Sequence, residues 1–242
     1  CGGIQSNHAR ATAIAGARLG LPTTLFLRDR SLASAPDEGV PLDPSTILTG
    51  NLMLHRLVGA EVRRITAEQY ARRDAITRAF ADRCGGTPYV VPEGGSNGVG
   101  ALGYVTAMAE VRAQLDALGA PSFDTIVHAC GSGGTAAGVI LGAATHGVAH
   151  AVRVMAVSDD AQTFTHRIEG LLDETEEVAP RWNVALDGRA SWRVDDTFKG
   201  PAYAVSTAPQ RAAMLEAGRR AGLVLDPVYS GKAFHGLATL AR

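Results

Sequence analysis

Residues 125–138 read Thr125-Ile126-Val127-His128-Ala129-Cys130-Gly131-Ser132-Gly133-Gly134-Thr135-Ala136-Ala137-Gly138. An apolar run of strand length passes into a glycine-rich turn and then into small residues that suit a closely packed helix. Glycines let such a turn tighten and let backbone N–H groups face an anion. The helix start adds its partial positive charge, and the hydroxyls of Ser132 and Thr135 add donors. The stretch predicts a phosphate cradle at a strand-to-helix junction. It lacks the Gly-Lys-Ser/Thr ending of a nucleotide-binding loop. It also matches a dinucleotide fingerprint poorly, because Asp159 and Asp160 fall late for the acidic residue expected about 20 positions on.

Outward from this point, short apolar runs alternate with helical patterns. Toward the N-terminus lie a strand end at Cys1–Gln5, a helix from His8 to Leu19 and a strand at Thr23–Leu27. A loop over 30–48 follows, then a short helix at Leu52–Val58 and a strand at Glu61–Ile65. One helix is predicted over Ala67–Asp82, a strand over Tyr89–Val91, and an amphipathic helix over Gly98–Leu118, where Leu102, Val105, Met108, Val111 and Leu115 recur at helical spacing. Toward the C-terminus come a strand at Val152–Val157, a helix at Thr163–Glu174, a mixed tract over 178–200, a helix at Pro209–Gly222 and a last helix from Ser230. Strands separated by helices predict α/β architecture with open, mainly parallel sheets. Pro92-Glu93-Gly94-Gly95 interrupts the pattern, so we expect a smaller domain over 1–90 and a larger, phosphate-binding one over 91–242.

The chain has 242 residues, 46% of them hydrophobic, which is enough for a sizeable core. Its formal net charge of -1 gives no electrostatic case for nucleic acid or an anionic membrane surface. Cys1, Cys84 and Cys130 are too widely spaced for a zinc site or a disulfide framework, so no metal is expected and a cytoplasmic location fits best. No signal peptide or membrane-spanning run is evident.

Further motifs carry polar chemistry. Gly2-Gly3-Ile4-Gln5-Ser6-Asn7-His8 sets polar side chains at a helix start. Gly94-Gly95-Ser96-Asn97 repeats the theme. Asp226-Pro227-Val228-Tyr229-Ser230-Gly231-Lys232 opens a turn into a helix, and Tyr203 stands in the loop Gly200-Pro201-Ala202-Tyr203. Each alone also suits an ordinary cap, loop or packing aromatic.

Taken in series, these segments resemble the D-cysteine desulfhydrase and aminocyclopropane-carboxylate deaminase family of pyridoxal-phosphate enzymes. Gly2–His8 looks like its substrate loop, and Tyr89–Tyr104 is similar to its central segment. Gly131–Thr135 with Ala137-Gly138 looks like its phosphate loop, and Asp226–Lys232 like its late tyrosine motif. The resemblance runs nearly the whole length of the chain, in the family's order. It implies a two-domain fold-type-II pyridoxal-phosphate enzyme, similar to the tryptophan synthase β subunit, usually a homodimer, with pyridoxal 5′-phosphate in a cleft.

The resemblance also implies roles. Ser6 is the loop hydroxyl near the substrate. Asn7 bonds the pyridoxal 3′-oxygen, Gly131, Ser132, Gly133, Gly134 and Thr135 hold the 5′-phosphate, and Ser230 stands by the ring nitrogen. Tyr203 and Tyr229 face a small amino-acid substrate. Of 23 basic residues only Lys199 and Lys232 are lysine, and neither matches the family's cofactor lysine, which lies upstream of the Gly-Gly-Ile-Gln loop. We therefore expect an incomplete chain, inactive as it stands, whose full-length parent is a lyase. Deaminase-like members read Tyr-Glu-Gly-Lys where this chain reads Tyr229-Ser230-Gly231-Lys232. That difference favours β-elimination from D-cysteine over cyclopropane ring opening, with L-cysteate cleavage close behind. A non-catalytic module that holds pyridoxal phosphate or an amino acid is the reading from another class.

Overall fold

The computed structural model describes residues 1–241 and forms two compact units, Cys1–Gly95 and Ser96–Arg242. In the first, β1 (Gly2–Gly3), β2 (Thr24–Arg28), β4 (Glu61–Ile65) and β3 (Val40–Pro41) lie in the order β1-β2-β4-β3. The β1–β2 and β2–β4 pairs are parallel, with Gly2 opposite Leu27 and Leu25 opposite Val62. Only β3 runs antiparallel. It is two residues long, in the tract read as loop. With Pro41 in it, β3 can bond on one side only, as an edge strand does.

The flanking helices of this unit are α1 (Asn7–Arg18), α2 (Gly50–Leu57), α3 (Ala67–Ala71) and α4 (Arg73–Ala81). One core gathers Ala9, Ala13, Leu25, Leu27, Leu52 and Val62; another gathers Phe26, Ile65, Tyr70 and Ile76. The single helix expected over Ala67–Asp82 is two helices broken at Arg72. Thr66 starts the first, its Oγ1 accepting from Gln69 N while Gln69 Oε1 accepts from Thr66 N. The strand expected at Tyr89–Val91 is absent: those residues pair with no sheet. Proline stands on either side, at Pro88 and Pro92, and Tyr89 is exposed.

In the second unit, β5 (Phe123–Cys130), β6 (Ala149–Ala156) and β7 (Ser191–Asp195) form a wholly parallel sheet in that order. Here β7 lies inside the tract that the sequence left unplaced. Its apolar signal is short, and Arg193 and Asp195 interrupt it. The helices are α5 (Gly98–Leu118), α6 (Gly134–Thr145), α7 (Ala161–Val178), α8 (Ala208–Ala221) and α9 (Ser230–Leu240). Every residue of α6 from Ala136 to Ala143 is buried. It packs with α5, α7 and β6 around a core that includes Leu102, Val105, Met108, Ile140, Leu141, Val154, Phe164 and Leu172. That burial on several sides explains the small-residue sequence after the glycine loop, because bulkier side chains would hold the neighbouring helices off. No described helix is long and apolar enough to cross a membrane.

Candidate active site

The glycine loop leaves the carboxyl end of β5 and enters α6, the position where parallel α/β sheets bind ligands. Gly133 is the helix N-cap with φ of 102°, in the left-handed region that an L side chain rarely occupies, and no side chain caps the helix. The first helical amide, Gly134 N, donates to Ser96 Oγ at 3.1 Å. Ser96 Oγ in turn donates to Ser132 Oγ at 2.8 Å. The next amides, of Thr135 and Ala136, take no partner among the described residues. Two unpaired amides, the Ser132 hydroxyl that Ser96 orients, and a helix N-terminus make a donor set suited to a phosphate ester.

Cys130, just before the loop, is buried, and that burial pushes its thiol up to about 12 although the Gly133 and Ser132 amides oppose the shift. It is a packing residue and no nucleophile.

Tyr229 lies against this loop. A Cβ on Gly131 would stand 2.8 Å from Tyr229 Cε1, so only glycine admits the ring at this distance. The hydroxyls of Tyr229 and Tyr203 are 2.6 Å apart, and their rings meet edge to face with centroids 6.0 Å apart. Asp226 builds the turn that presents Tyr229. Its carboxylate accepts from Val228 N at 2.9 Å, Tyr229 N at 2.7 Å, Ser230 N at 2.9 Å and Ser230 Oγ at 2.5 Å. Burial raises the Asp226 pKa, but the bonds from Ser230, Tyr229 and Val228 outweigh it and hold the carboxyl below its usual range. Ser230 Oγ also accepts from Asp226 N at 2.9 Å. The serine hydroxyl therefore has its proton committed to Asp226.

In the first unit, Ser6 is the N-cap of α1, and its Oγ accepts from Ala9 N at 3.2 Å. Asn51 organises the neighbouring loop. Its Nδ2 donates to Gln5 O at 2.8 Å and to Asn7 Oδ1 at 2.9 Å, while its Oδ1 accepts from Arg10 at 3.0 Å. With Asn7 Oδ1 so engaged, its amide nitrogen is the end left to donate outward. A donor there suits an oxygen acceptor on a ligand.

The structure thus brings Gly131–Thr135, Ser230, Tyr203 and Tyr229 together in the second unit and places Ser6 and Asn7 on one turn of the first. Sequence reasoning missed three contributors: Ser96 at the cradle, Asn51 behind Asn7, and Asp226 as anchor of Tyr229. Ser96 belongs to the Gly94-Gly95-Ser96-Asn97 motif, and Asp226-Pro227 has the composition of a turn. Asn51 carried no sequence signal.

A wholly parallel sheet whose first strand runs through a glycine loop into a helix, with paired tyrosines beside that loop, fits a fold-type-II pyridoxal-phosphate enzyme. Comparison with known proteins agrees: residues 1–242 match the family described as "Pyridoxal-phosphate dependent enzyme", and the chain belongs to it.

The chain is 39% identical over 245 residues to the mitochondrial bifunctional D-cysteine desulfhydrase/1-aminocyclopropane-1-carboxylate deaminase of Arabidopsis thaliana, covering 98% of this chain and 56% of that protein. It is 33% identical over 244 residues to the D-cysteine desulfhydrase of Serratia proteamaculans, covering 98% of this chain and 68% of the other. Among solved structures, that of an ACC deaminase homologue superposes with a TM-score of 0.75 at 31% identity, covering 99% of this chain and 67% of that one. The chain thus spans little more than half of the plant relative and about two thirds of the others.

Proposed function

We propose that the protein is a pyridoxal-phosphate-dependent lyase that cleaves the Cβ–S bond of D-cysteine. With one water taken up, the products are sulfide, pyruvate and ammonia. The observation that carries this reading is the tyrosine pair, with hydroxyls 2.6 Å apart and the Tyr229 ring against Gly131 of the phosphate loop.

Pyridoxal phosphate, when bound, withdraws electrons from the substrate's Cα and so eases loss of its proton. The residues of this chain do the rest. The amides of Thr135 and Ala136 and the hydroxyls of Ser132 and Thr135 hold the phosphate. Asn7 offers its amide nitrogen to the ring oxygen, and Ser6 keeps a hydroxyl proton to donate to the substrate. In the tyrosine pair, one phenol donates its proton to the departing sulfur while the other hydroxyl donates to the phenolate left behind. A lone phenol near its reference pKa of about 10 is a poor proton carrier at neutral pH; a partner within hydrogen-bond distance improves it.

Ser230 supports D-cysteine over aminocyclopropane carboxylate. Its proton is committed to Asp226, so it offers a ring nitrogen neither charge nor a free proton, and electron withdrawal stays modest. A thiolate leaves under such conditions; a strained ring carbon needs more help. The names of the relatives include both activities, so the substrate decides between them.

The test incubates the full-length protein with pyridoxal phosphate and follows pyruvate and sulfide from D-cysteine against 2-oxobutanoate from aminocyclopropane carboxylate. Faster elimination from D-cysteine is the expected result. Absence of turnover on either substrate would overturn the lyase reading.

A further inference from the structure

Lys232 is completely buried in the first turn of α9. Its Nζ donates to Val157 O at 3.0 Å, Lys199 O at 2.5 Å and Ala202 O at 3.0 Å. An ammonium has three N–H donors and no acceptor, so three carbonyls satisfy it completely. A neutral amine would turn a lone pair toward one of those oxygens. Burial lowers the Lys232 pKa, and the three carbonyls oppose that by favouring the charged form.

The three carbonyls belong to places that bear on the tyrosines. Val157 directly follows β6, the central strand. Lys199 and Ala202 bracket the segment that leads to Tyr203. Ala202 and Val205 close a tight turn, Val205 N donating to Ala202 O at 3.1 Å. Within it Ala204 has φ of 62°, a left-handed conformation in which glycine is usual. A strained turn persists only where its surroundings hold it. The flanks are fixed by Gln210 Nε2 donating to Phe198 O at 2.7 Å and by Ser206 Oγ donating to Pro227 O at 2.8 Å. Between those flanks Lys232 bonds the backbone of the segment at Lys199 and Ala202. Its own backbone N–H donates to Tyr229 O at 3.1 Å. One residue is therefore bonded to Tyr229 through its main chain and to the residue before Tyr203 through its side chain.

We propose that Lys232 is a positioning residue that sets the Tyr203–Tyr229 pair, its buried ammonium holding the strained Tyr203 turn against the central strand. This deepens the lyase reading and rests on it for the meaning of the pair. Lys232 touches no reacting atom; it acts through Tyr203.

The test replaces Lys232 by methionine, which keeps the stem and removes all three donors. The protein carries 3-fluorotyrosine, with the Tyr203 resonance assigned by its loss in Tyr203→Phe. In Lys232→Met the Tyr203 fluorine resonance should move, and amides 199–205 should exchange at least tenfold faster, with β5 and α6 unchanged. In turnover, kcat should fall at least tenfold with KM nearly constant, and Lys232→Met should add no further loss in Tyr203→Phe.

An unmoved fluorine signal in a folded Lys232→Met protein overturns the proposal, as does an equal further loss of kcat in Tyr203→Phe. Where Lys232→Met does not fold, Lys232→Gln, which keeps two donors, is read the same way, and undisturbed signals overturn it there too. The fluorine and exchange readouts need no turnover. Displaced tyrosines in a protein whose wild type is inactive count for Lys232 and against the lyase reading; undisturbed tyrosines in an active protein count against Lys232 alone.

Discussion

The hydroxyl oxygens of Tyr203 and Tyr229 are 2.6 Å apart although the residues are 26 positions apart in sequence. One sits in a turn after the last strand of its sheet and the other at the start of α9. Two phenols at this distance share a proton, so neither acts alone.

Removing either hydroxyl should therefore damage the same function. Tyr203→Phe and Tyr229→Phe are each expected to lower kcat for D-cysteine by about 100-fold, within the range typical of a lost proton-transfer group. The double variant should be little worse than the worse single one, since groups acting as a unit are non-additive. Pyruvate release under saturating substrate measures this. Losses that multiply would mean that the phenols serve separate steps.

Gly133 holds the helix end open at φ of 102°, and a Cβ there would stand 2.9 Å from Leu171 Cδ1. Gly133→Ala should cost about 1–3 kcal/mol from backbone strain. It should lower the melting temperature by several degrees and weaken pyridoxal-phosphate binding, read by quenching of protein fluorescence. A melting temperature and an affinity both equal to wild type would overturn the reading of this loop as a phosphate cradle.

The parts of this molecule that could be read from sequence are those whose signal is local. The apolar stripe of α5 and the residues of β4 were placed with the bounds that the structure has, because burial on one face writes itself into the spacing. The glycine loop was legible for the same reason: strand, turn and helix are adjacent in the chain. What escaped depended on distant partners. Nothing in 178–200 announces that Ser191–Asp195 finds β6 as a neighbour. Tyr89–Val91 has strand composition but no strand to pair with. Asn51 acts on Asn7 from 44 positions away in the first unit, and Lys232 reaches Val157 across 75 in the second. In sequence Lys232 carries only the signal that it matches no cofactor lysine, and its positioning role rests on three carbonyl partners that folding brings to it.

His55 should make the stability of the protein sensitive to acid. It is fully buried in α2, and neither ring nitrogen has a partner among the described residues. Burial, then the charge of Arg10, holds its pKa below the ordinary histidine value. The native state thus keeps it neutral, while the unfolded chain titrates near the reference value of about 6.5. The stability it contributes is present above that value and is lost as pH falls through it toward the lowered folded pKa. Thermal melts should show a falling midpoint between pH 7.5 and pH 5, and His55→Leu should flatten the slope. An equal slope in His55→Leu would place the acid sensitivity elsewhere, with the similarly depressed His128 as the next group to test.

The substrate preference can be tested at Ser230. Its hydroxyl donates to Asp226 Oδ2 at 2.5 Å and accepts from Asp226 N at 2.9 Å, so its role in this chain is to complete the turn that carries Tyr229. The deaminase pattern has glutamate at this position. A carboxylate there would make a charge-assisted bond to a protonated ring nitrogen, roughly twice as strong as a neutral one. The gain falls on developing carbanion charge, so it belongs to rate more than to binding. The wild type should therefore favour D-cysteine over aminocyclopropane carboxylate, and Ser230→Glu should move the ratio of kcat/KM values at least tenfold toward ring opening. The new carboxylate also meets Asp226, and like charges at close range raise one pKa; the shift should accordingly grow as pH rises and the glutamate ionises. Ser230→Ala separates charge from turn geometry. It deletes the bond to Asp226, is expected to destabilise by about 1 kcal/mol, and should leave the substrate ratio where it was. A ratio that moves equally in Ser230→Ala and Ser230→Glu would trace the preference to the placement of Tyr229, and a wild type that opens the ring faster than it eliminates sulfide would overturn the D-cysteine assignment itself.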